Sequence, residues 1–506
     1  MRKKYYFVLF VLFILAFVVR IFFLKDGALT FGYDQARDAT HATEIAKGHL
    51  KILGPPSSAP GLFHGVLYYY VLAPFYFFGN GSPIVAAIGI AFINSIVIFI
   101  VFLITFLLTK DPISAILSSL FFAFSFESTQ YATWLSNPTI GVLTVALYYF
   151  GLWLVISKKN LRFGAIVAGL SLGFSVQAEV FLLYHIVPGF IWYLYYRKNI
   201  EKRYIVWFLI SFLMGISTML ISEVKFGFRG LGGLMSVVQT SDAVTSSKGF
   251  GDIVTLYLNQ IGRVLSYNSY ASNIGYGTFL VIGSLFYLIK YKNEKKTNYW
   301  PLFLSTWLFS SLSVVSLGGV STPFLLVGIG SAVSIILGSF IGSLIKSKNY
   351  LFSFLLIVFV LFGSLSMIIR ENQKGSTIFS IQKDMLLSKQ IKAIDYTYLT
   401  SNGEKFDINS LTSPLWINIV WAYLYNWYGQ SHYGYTPNYV GRDQIGQVVA
   451  LNQSSDNSKI RFLIIEPLDG IPLRYLDETV GEENYKSKLI DQINFGQINI
   501  QYRRIK

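Results

Sequence analysis

Cysteine is absent from the 506 residues, which removes disulfides, thiolate metal sites and cysteine nucleophiles together. Charge is scarce as well: Asp, Glu, Lys and Arg make up 13% of the chain, where an average soluble domain carries about 25%. A soluble globule of this size needs more polar surface. Histidine is limited to His41, His49, His64, His185 and His432, with no i, i+4 pair to clasp a metal from one helix face. No internal repeat marks a transporter built from duplicated halves. No Gly-Lys-Ser/Thr follows a glycine-rich stretch, as a nucleotide-binding loop requires.

What is present is 53% hydrophobic residues, gathered in runs of about 18 or more, enough to cross roughly 30 Å of hydrocarbon. The runs predict spans at 5–24, 84–109, 112–127, 139–156, 163–179, 181–196, 204–222, 277–290, 300–317, 323–345 and 350–369, about eleven in all. A net charge of +15 would suit nucleic acid, but the basic residues sit in short clusters between the runs, which is a topology signal and excludes a nucleic-acid footprint. The clusters are Arg2-Lys3-Lys4, Lys110, Lys158-Lys159-Arg162, Arg197-Lys198-Lys202-Arg203, Lys290-Lys292-Lys295-Lys296 and Lys346-Lys348. With these spans, every cluster falls in the cytoplasm. The first run lacks a small-residue cleavage site, so it reads as an uncleaved span and not as a removed signal.

Leu62–Phe78 tests that topology, because counting it as a span would split the basic clusters between the two sides. It holds Pro74 and is rich in Tyr and Phe, which suits an interfacial helix at headgroup level. An odd span count then gives an all-α polytopic membrane domain over 1–370, N-terminus in and C-terminus out. It carries outer loops at 25–83 and 223–276. The segment 371–506 recovers charge and predicts a small extracytoplasmic α/β domain: helices near 377–399, 414–428 and 472–490, and strands at Ile460–Ile465 and Ile498–Ile505.

Ionisable residues beside a membrane are costly and mark function by default. The first outer loop gathers Asp34, Arg37, Asp38, His41, Glu44, Lys47 and His49. Asp34, Asp38 and His41 follow an i, i+4, i+7 pattern that places them on one helix face, with Arg37 at its edge. A carboxylate beside a guanidinium has the means to take a proton from an attacking hydroxyl while the cation holds a phosphate. A solvated face of an interfacial helix is the alternative reading.

The run Phe31-Gly32-Tyr33-Asp34-Gln35-Ala36-Arg37-Asp38-Ala39 resembles the acidic motif of C-type membrane glycosyltransferases, a group that includes the protein O-mannosyltransferases and the lipid A aminoarabinose transferases. The likeness continues through His64-Gly65-Val66-Leu67-Tyr68-Tyr69-Tyr70, Trp134-Leu135-Ser136-Asn137-Pro138 and Val176-Gln177-Ala178-Glu179, covering about the first 200 residues. The resemblance implies transfer of a sugar from a polyprenyl-phosphate-linked donor to a glycan, lipid or protein acceptor on the outer face of the cell membrane. Asp34 would be the catalytic base, with Arg37, Asp38, His64, Tyr68, Tyr69, Asn137 and Glu179 around the substrates. Three positions depart from the family pattern. Gln35 replaces a Glu, Asn137 stands where relatives often carry Asp, and Glu179 replaces a Lys expected near the donor phosphate.

With that Lys missing, the outer basic residues left for the phosphate are Arg37, Lys47, Arg229 and Arg263, of which a guanidinium grips phosphate bidentately. The chemistry requires no cofactor, although an aqueous Mg²⁺ or Mn²⁺ on Asp34, Asp38 or Glu179 stays open. Gly227, Gly230, Gly232 and Gly233 lead into a Ser- and Thr-rich run ending at Lys248-Gly249, which reads either as a mobile lid or as a plain connector. Trp416, Tyr423 and Trp427 recur at helical spacing and read as core or membrane-surface packing. Two rival functions remain: a transporter or lipid flippase, which would place charge at mid-membrane, and a lipid-linked glycan polymerase or ligase, weakly permitted by Arg229 and Arg263.

Overall fold

The computed structural model describes residues 3–57, 61–233, 235, 249–293, 299–314, 323–380, 382–453 and 458–506. The apolar runs become helices because a backbone shielded from water must satisfy its own N–H and C=O groups. In chain order the helices are α1 (Lys3–Ile21), α2 (Tyr33–Ala46), α3 (Leu67–Phe78), α4 (Pro83–Thr109), α5 (Pro112–Ala123), α6 (Phe126–Thr133), α7 (Gly141–Ile156), α8 (Leu161–Ala178), α9 (Ile186–Tyr196), α10 (Lys202–Gly215) and α11 (Ser217–Lys225). There follow α12 (Phe250–Tyr267), α13 (Ile274–Asn293), α14 (Trp300–Leu308), α15 (Gly330–Lys346) and α16 (Tyr350–Asn372).

Among the described residues, six helical segments are long and apolar enough to cross a membrane, or eight if the bent pairs α5–α6 (53°) and α10–α11 (58°) each count as one span. That is fewer than the eleven predicted. The run at 181–196 yields only Val180–Tyr196, and 323–345 only Gly330–Lys346, both below spanning length. The run at 300–317 forms α14 and then passes beyond the described residues. The stretch Leu62–Phe78, expected to be interfacial, forms the 12-residue α3, about 18 Å long and too short to span.

The break between α5 and α6 leaves carbonyls without helical partners inside the bundle, and Arg20 of α1 fills it. Its Nη1 donates to Ala123 O at 2.9 Å, its Nη2 to Phe122 O at 3.3 Å and Ser128 Oγ at 2.9 Å, and its Nε to Asn94 Oδ1 at 2.8 Å. On the far side of the break, the Ser125 hydroxyl caps α6 by accepting from Ser128 N at 3.1 Å. Helices α8 and α10 meet at backbone distance: a Cβ on Gly173 would come within 2.8 Å of Gly215 Cα. Such small-residue seams are how helices associate where lipid supplies no hydrophobic drive.

The C-terminal segment carries α17 (Leu387–Ser401), α18 (Ile419–Leu424), α19 (Arg474–Lys486) and five strands: β1 (Phe406–Leu411), β2 (Asn438–Tyr439), β3 (Ile460–Ile465), β4 (Ser487–Phe495) and β5 (Ile498–Ile505). The sheet order is β2-β1-β3-β5-β4. β1 runs parallel to β2 and β3, while β5 is antiparallel to β3 and β4. The predicted β3 and β5 match residue for residue. The helix predicted over 472–490 instead stops at Lys486, and Ser487 opens the edge strand β4.

The sheet does not stand apart from the first loop. Phe31 N donates to Met385 O at 2.9 Å, Leu387 N to Leu29 O at 2.8 Å, and the Tyr423 hydroxyl to Gly81 O at 2.6 Å. One continuous core joins Phe31, Ala39, Leu72 and Tyr76 of the loop to Ile394, Trp421 and Phe462. Loop 25–83 and the C-terminal segment therefore lie at the same end of the bundle. Tyr423 belongs to that core and Trp427 packs beside Gly81, but Trp416 lies off the helix, stacked with Arg442 and Tyr475.

Candidate functional site

Helix α2 starts at Tyr33 because Gly32 and Gln35 close its first turn, with Gly32 N donating to Gln35 Oε1 at 3.0 Å. The same amide's Nε2 donates to Leu135 O at 3.1 Å, so the residue that stands where the resembled motif has Glu ties α2 to the 134–138 turn. On the next turn Arg37 divides its guanidinium between two carboxylates. Nη1 donates to Asp34 Oδ1 at 2.7 Å, while Nε and Nη2 both reach Asp38 Oδ1, at 2.8 and 2.7 Å.

The two carboxylates differ in access: the side chain of Asp34 is 51% exposed and that of Asp38 only 1%. Burial pushes the Asp38 carboxyl up to about 7, against the opposing pull of Arg37 and with help from the charge on Asp34. Burial alone would lower Arg37, but the facing Asp38 and Asp34 outweigh it and hold the guanidinium firmly protonated. Tyr68 and Tyr69 on α3 lie against this group, and both phenols are raised, first by burial and then by Asp38.

The segment 64–67 docks on the end of α8. Gly65 N donates to Gln177 O at 2.8 Å and Leu67 N to Gln177 Oε1 at 3.1 Å, and a Cβ at Gly65 would collide with the Gln177 side chain. This seam sets His64 Nε2 3.8 Å from Glu179 Oε2, with both side chains almost fully buried. Burial, with Arg37 nearby, lowers the His64 imidazole to about 4, so it is neutral near pH 7. Asn137 Nδ2 donates to Ala178 O, fixing the backbone beside Glu179.

Asp34, Arg37, Asp38, Tyr68 and Tyr69 thus form one cluster, and His64 leads from it to Glu179, beside which Asn137 holds the backbone. His41 and Glu44 extend it along α2: the His41 ring lies 4.9 Å from that of Tyr69, and its Nδ1 is 3.3 Å from Glu44 Oε2. Lys51 pairs with the same Glu44 oxygen at 2.8 Å; it lies past the helix, where spacing gave no hint of it. Arg229 is exposed, and its carbonyl passes over Gly61.

Arg263 is placed elsewhere, in a second buried polar group on α12. Its Nη1 is 3.9 Å from Glu127 Oε1, and Asn268 Nδ2 donates to Glu127 Oε2 at 2.6 Å. Glu127, inside a predicted span, was the available signal for this group; uncharged Asn268 offered none. The loop predicted over 223–276 also contains the amphipathic α12, which composition alone did not reveal. The Ser- and Thr-rich part of the expected lid, 236–248, lies outside the described residues. Its glycine-rich approach is anchored where Gly230 N and Leu231 N donate to the Glu223 carboxylate, each at 3.1 Å. Among the described residues no group of three His, Cys, Asp or Glu side chains is arranged to hold a metal ion.

No protein-family model matches the sequence, and no curated protein matches it. Solved structures do. The chain is similar to ArnT from Cupriavidus metallidurans in two states, bound to undecaprenyl phosphate (TM-score 0.59) and apo (TM-score 0.60), at 10% identity and over 97% of both chains. It is also similar to the Archaeoglobus fulgidus oligosaccharyltransferase in its apo form (TM-score 0.50, 12% identity), over 83% of this chain and 64% of that one. The chain therefore has the fold of the C-type membrane glycosyltransferases that its motifs resemble.

Proposed function

We propose that the protein is a membrane glycosyltransferase that moves a sugar from a polyprenyl-phosphate-linked donor to a glycan, lipid or protein acceptor on the extracytoplasmic face, with Asp34 as general base. The observation that carries this reading is the division of labour around Arg37: one carboxylate is buried and the other, Asp34, is held in place yet open to an incoming hydroxyl. Similarity in fold to a protein solved with undecaprenyl phosphate supports the donor class.

In the proposed step the acceptor oxygen attacks the anomeric carbon while Asp34 takes its proton. The bond from that carbon to the phosphate oxygen breaks, and the polyprenyl phosphate leaves as a stable anion. Arg37 aligns Asp34 but spends its donors on carboxylates. Arg263 has capacity left, since its Nε and Nη1 are buried without a hydrogen bond among the described residues. Arg263 and Arg229 stay in the proposal as substrate-binding residues, with Arg263 acting from the separate Glu127 group. The N-in, C-out topology and the placement of segment 371–506 outside belong to the same proposal. No divalent cation is required for the step; Mg²⁺ or Mn²⁺ remains an optional addition.

The test is label transfer from polyprenyl-phosphate sugars to a membrane extract by purified protein, wild type against Asp34→Asn. Transfer lost with Asp34→Asn supports the reading. Transfer that survives the change overturns the base assignment, and substrate-dependent vesicle uptake without any transfer would instead favour a transporter.

A further inference from the structure

At the end of the bundle opposite the Asp34 group lies a groove of about 300 Å³ between α7, α8, α9 and α10. Its walls include Tyr148, Leu152, Ala165, Trp192, Ile205 and Phe208. The groove runs from Ile186, seven residues past Glu179, to Ala165, fourteen residues before it and about 21 Å away along α8, so its far end is remote from the candidate site. The wall is apolar and concave, unlike the convex helix surfaces that face bulk lipid.

The rim of the groove is strongly basic. Next to the lining residues Ile156 and Ile200, Lys158 and Lys159 lie in the turn joining α7 to α8 with Arg162 in the first turn of α8, and Arg197 and Lys198 lie between α9 and α10 with Lys202 opening α10. Lys110 comes up beside Lys159. The acid between α9 and α10, Glu201, is already paired with Arg203 at 2.9 Å. Arg162 lies 4.3 Å over the Trp207 ring, held at the lip of α10.

We infer that this groove is a binding site for an anionic membrane phospholipid, with an acyl chain in the apolar groove and the phosphate headgroup against the basic turns. Charge complementarity selects this occupant: a zwitterionic lipid fills the same groove but gains little from the cationic rim. The inference rests on the membrane-spanning character of α7, α8 and α10 and is independent of the transferase reading.

Native mass spectrometry of the full chain in detergent tests it, with phosphatidylglycerol, phosphatidylcholine of the same acyl chains, and undecaprenyl phosphate as separate probes. Phosphatidylglycerol should be retained over phosphatidylcholine. Lys159→Gln with Arg162→Gln should reduce that preference roughly thirtyfold, since each basic group near a headgroup contributes about 1 kcal/mol. Ile205→Trp should fill the groove and abolish retention, and Leu209→Trp on the same wall is the second variant should the first fail to fold. Equal retention of both phospholipids, or phosphatidylglycerol retention indifferent to both Trp variants, overturns the site. Displacement of phosphatidylglycerol by undecaprenyl phosphate in a manner abolished by the Trp variants overturns it too, by giving the groove to the carrier lipid.

Discussion

His64 Nε2 stands 3.8 Å from Glu179 Oε2, two nearly buried side chains brought together by the docking of segment 64–67 on the end of α8. At this distance the pair is close without a tight hydrogen bond. The motif that this segment resembles has a Lys at the place of Glu179, so a carboxyl stands here in place of a cation. Burial pushes the Glu179 carboxyl up to about 8, so beside neutral His64 it is mostly protonated near pH 7 and opposes an approaching phosphate only as pH rises through 8. Glu179→Gln keeps the shape and prevents that ionisation. Near pH 7 it should leave the donor KM almost unchanged, and above pH 8 it should lower it several-fold, of the order of 1 kcal/mol for a charge removed at partly solvated distance, with a smaller change in kcat. Steady-state kinetics over a donor series at both pH values reads this, and an unchanged or higher KM above pH 8 would show that the donor phosphate lies away from Glu179.

The two carboxylates on Arg37 should separate cleanly. Asp34→Asn removes the proton acceptor and should reduce kcat by about 10²–10⁴-fold with the protein still folded. Asp38→Asn leaves the exposed base in place but loosens Arg37, so it should lower thermal stability and affect activity less. Equal kinetic loss from both would mean that the carboxylates act as one unit.

Arg263, in the separate Glu127 group, is proposed to bind the donor with hydrogen-bond capacity to spare. Arg263→Ala should raise the donor KM, a charge-assisted hydrogen bond being worth about 1.5–3 kcal/mol, and Arg263→Lys should recover part of the loss as a point charge. If KM is unmoved while the melting temperature falls, Arg263 only balances Glu127.

How much of this was legible beforehand follows from what sequence patterns encode. The motif residues around Asp34 were readable because ionisable groups beside apolar runs stand out, β3 because five of its six residues are apolar, and β5 because apolar and polar residues alternate over its first five positions. Strand β1 was not: Phe406-Asp407-Ile408-Asn409-Ser410-Leu411 carries Asp407 and Asn409 into a buried layer, where Arg461 faces Asp407 at 3.7 Å and Asn409 donates to Glu483 at 2.7 Å. A pairing fixed by residues fifty or more positions away leaves no local trace. The span count suffered in the same way, since a break such as that at Phe124-Ser125 is stabilised by Arg20, whose partners lie on other helices.

That role of Arg20 is itself testable. Arg20→Met keeps apolar volume but abandons the carbonyls of Phe122 and Ala123, at about 1–3 kcal/mol for each buried group left unpaired. The expected result is a lower melting temperature and poorer monodispersity in detergent. An unchanged melting curve would mean that water satisfies the break.

The absence of cysteine makes the topology directly measurable, because any introduced thiol is unique. Tyr485→Cys on α19 replaces a side chain that is 84% exposed, and Lys159→Cys lies at the opposite end of the bundle. In intact cells a membrane-impermeant maleimide should label Tyr485→Cys, and should label Lys159→Cys only after permeabilisation. The reverse pattern would turn the protein over and move the proposed transfer to the cytoplasmic face.

The pH dependence of stability follows from Asp38 and His64 with opposite signs. Asp38 is raised from about 4 in an unfolded chain to about 7 in the native state, so between those values the native form holds the extra proton. Stability from this group is fully present below about pH 4 and is lost as pH rises through 7. His64 is lowered to about 4 from 6.5. Here the unfolded chain holds the extra proton, and stability is lost as pH falls from about 6.5 through 4. Glu466, which burial pushes up to about 7, adds to the Asp38 trend. Melting temperatures taken from pH 4.5 to 8 should therefore show Asp38→Asn flattening the fall toward high pH, and His64→Gln flattening the fall toward low pH. Parallel curves for wild type and Asp38→Asn would show that Asp38 is ionised throughout, its burial fully offset by the three hydrogen bonds it and Asp34 receive from Arg37.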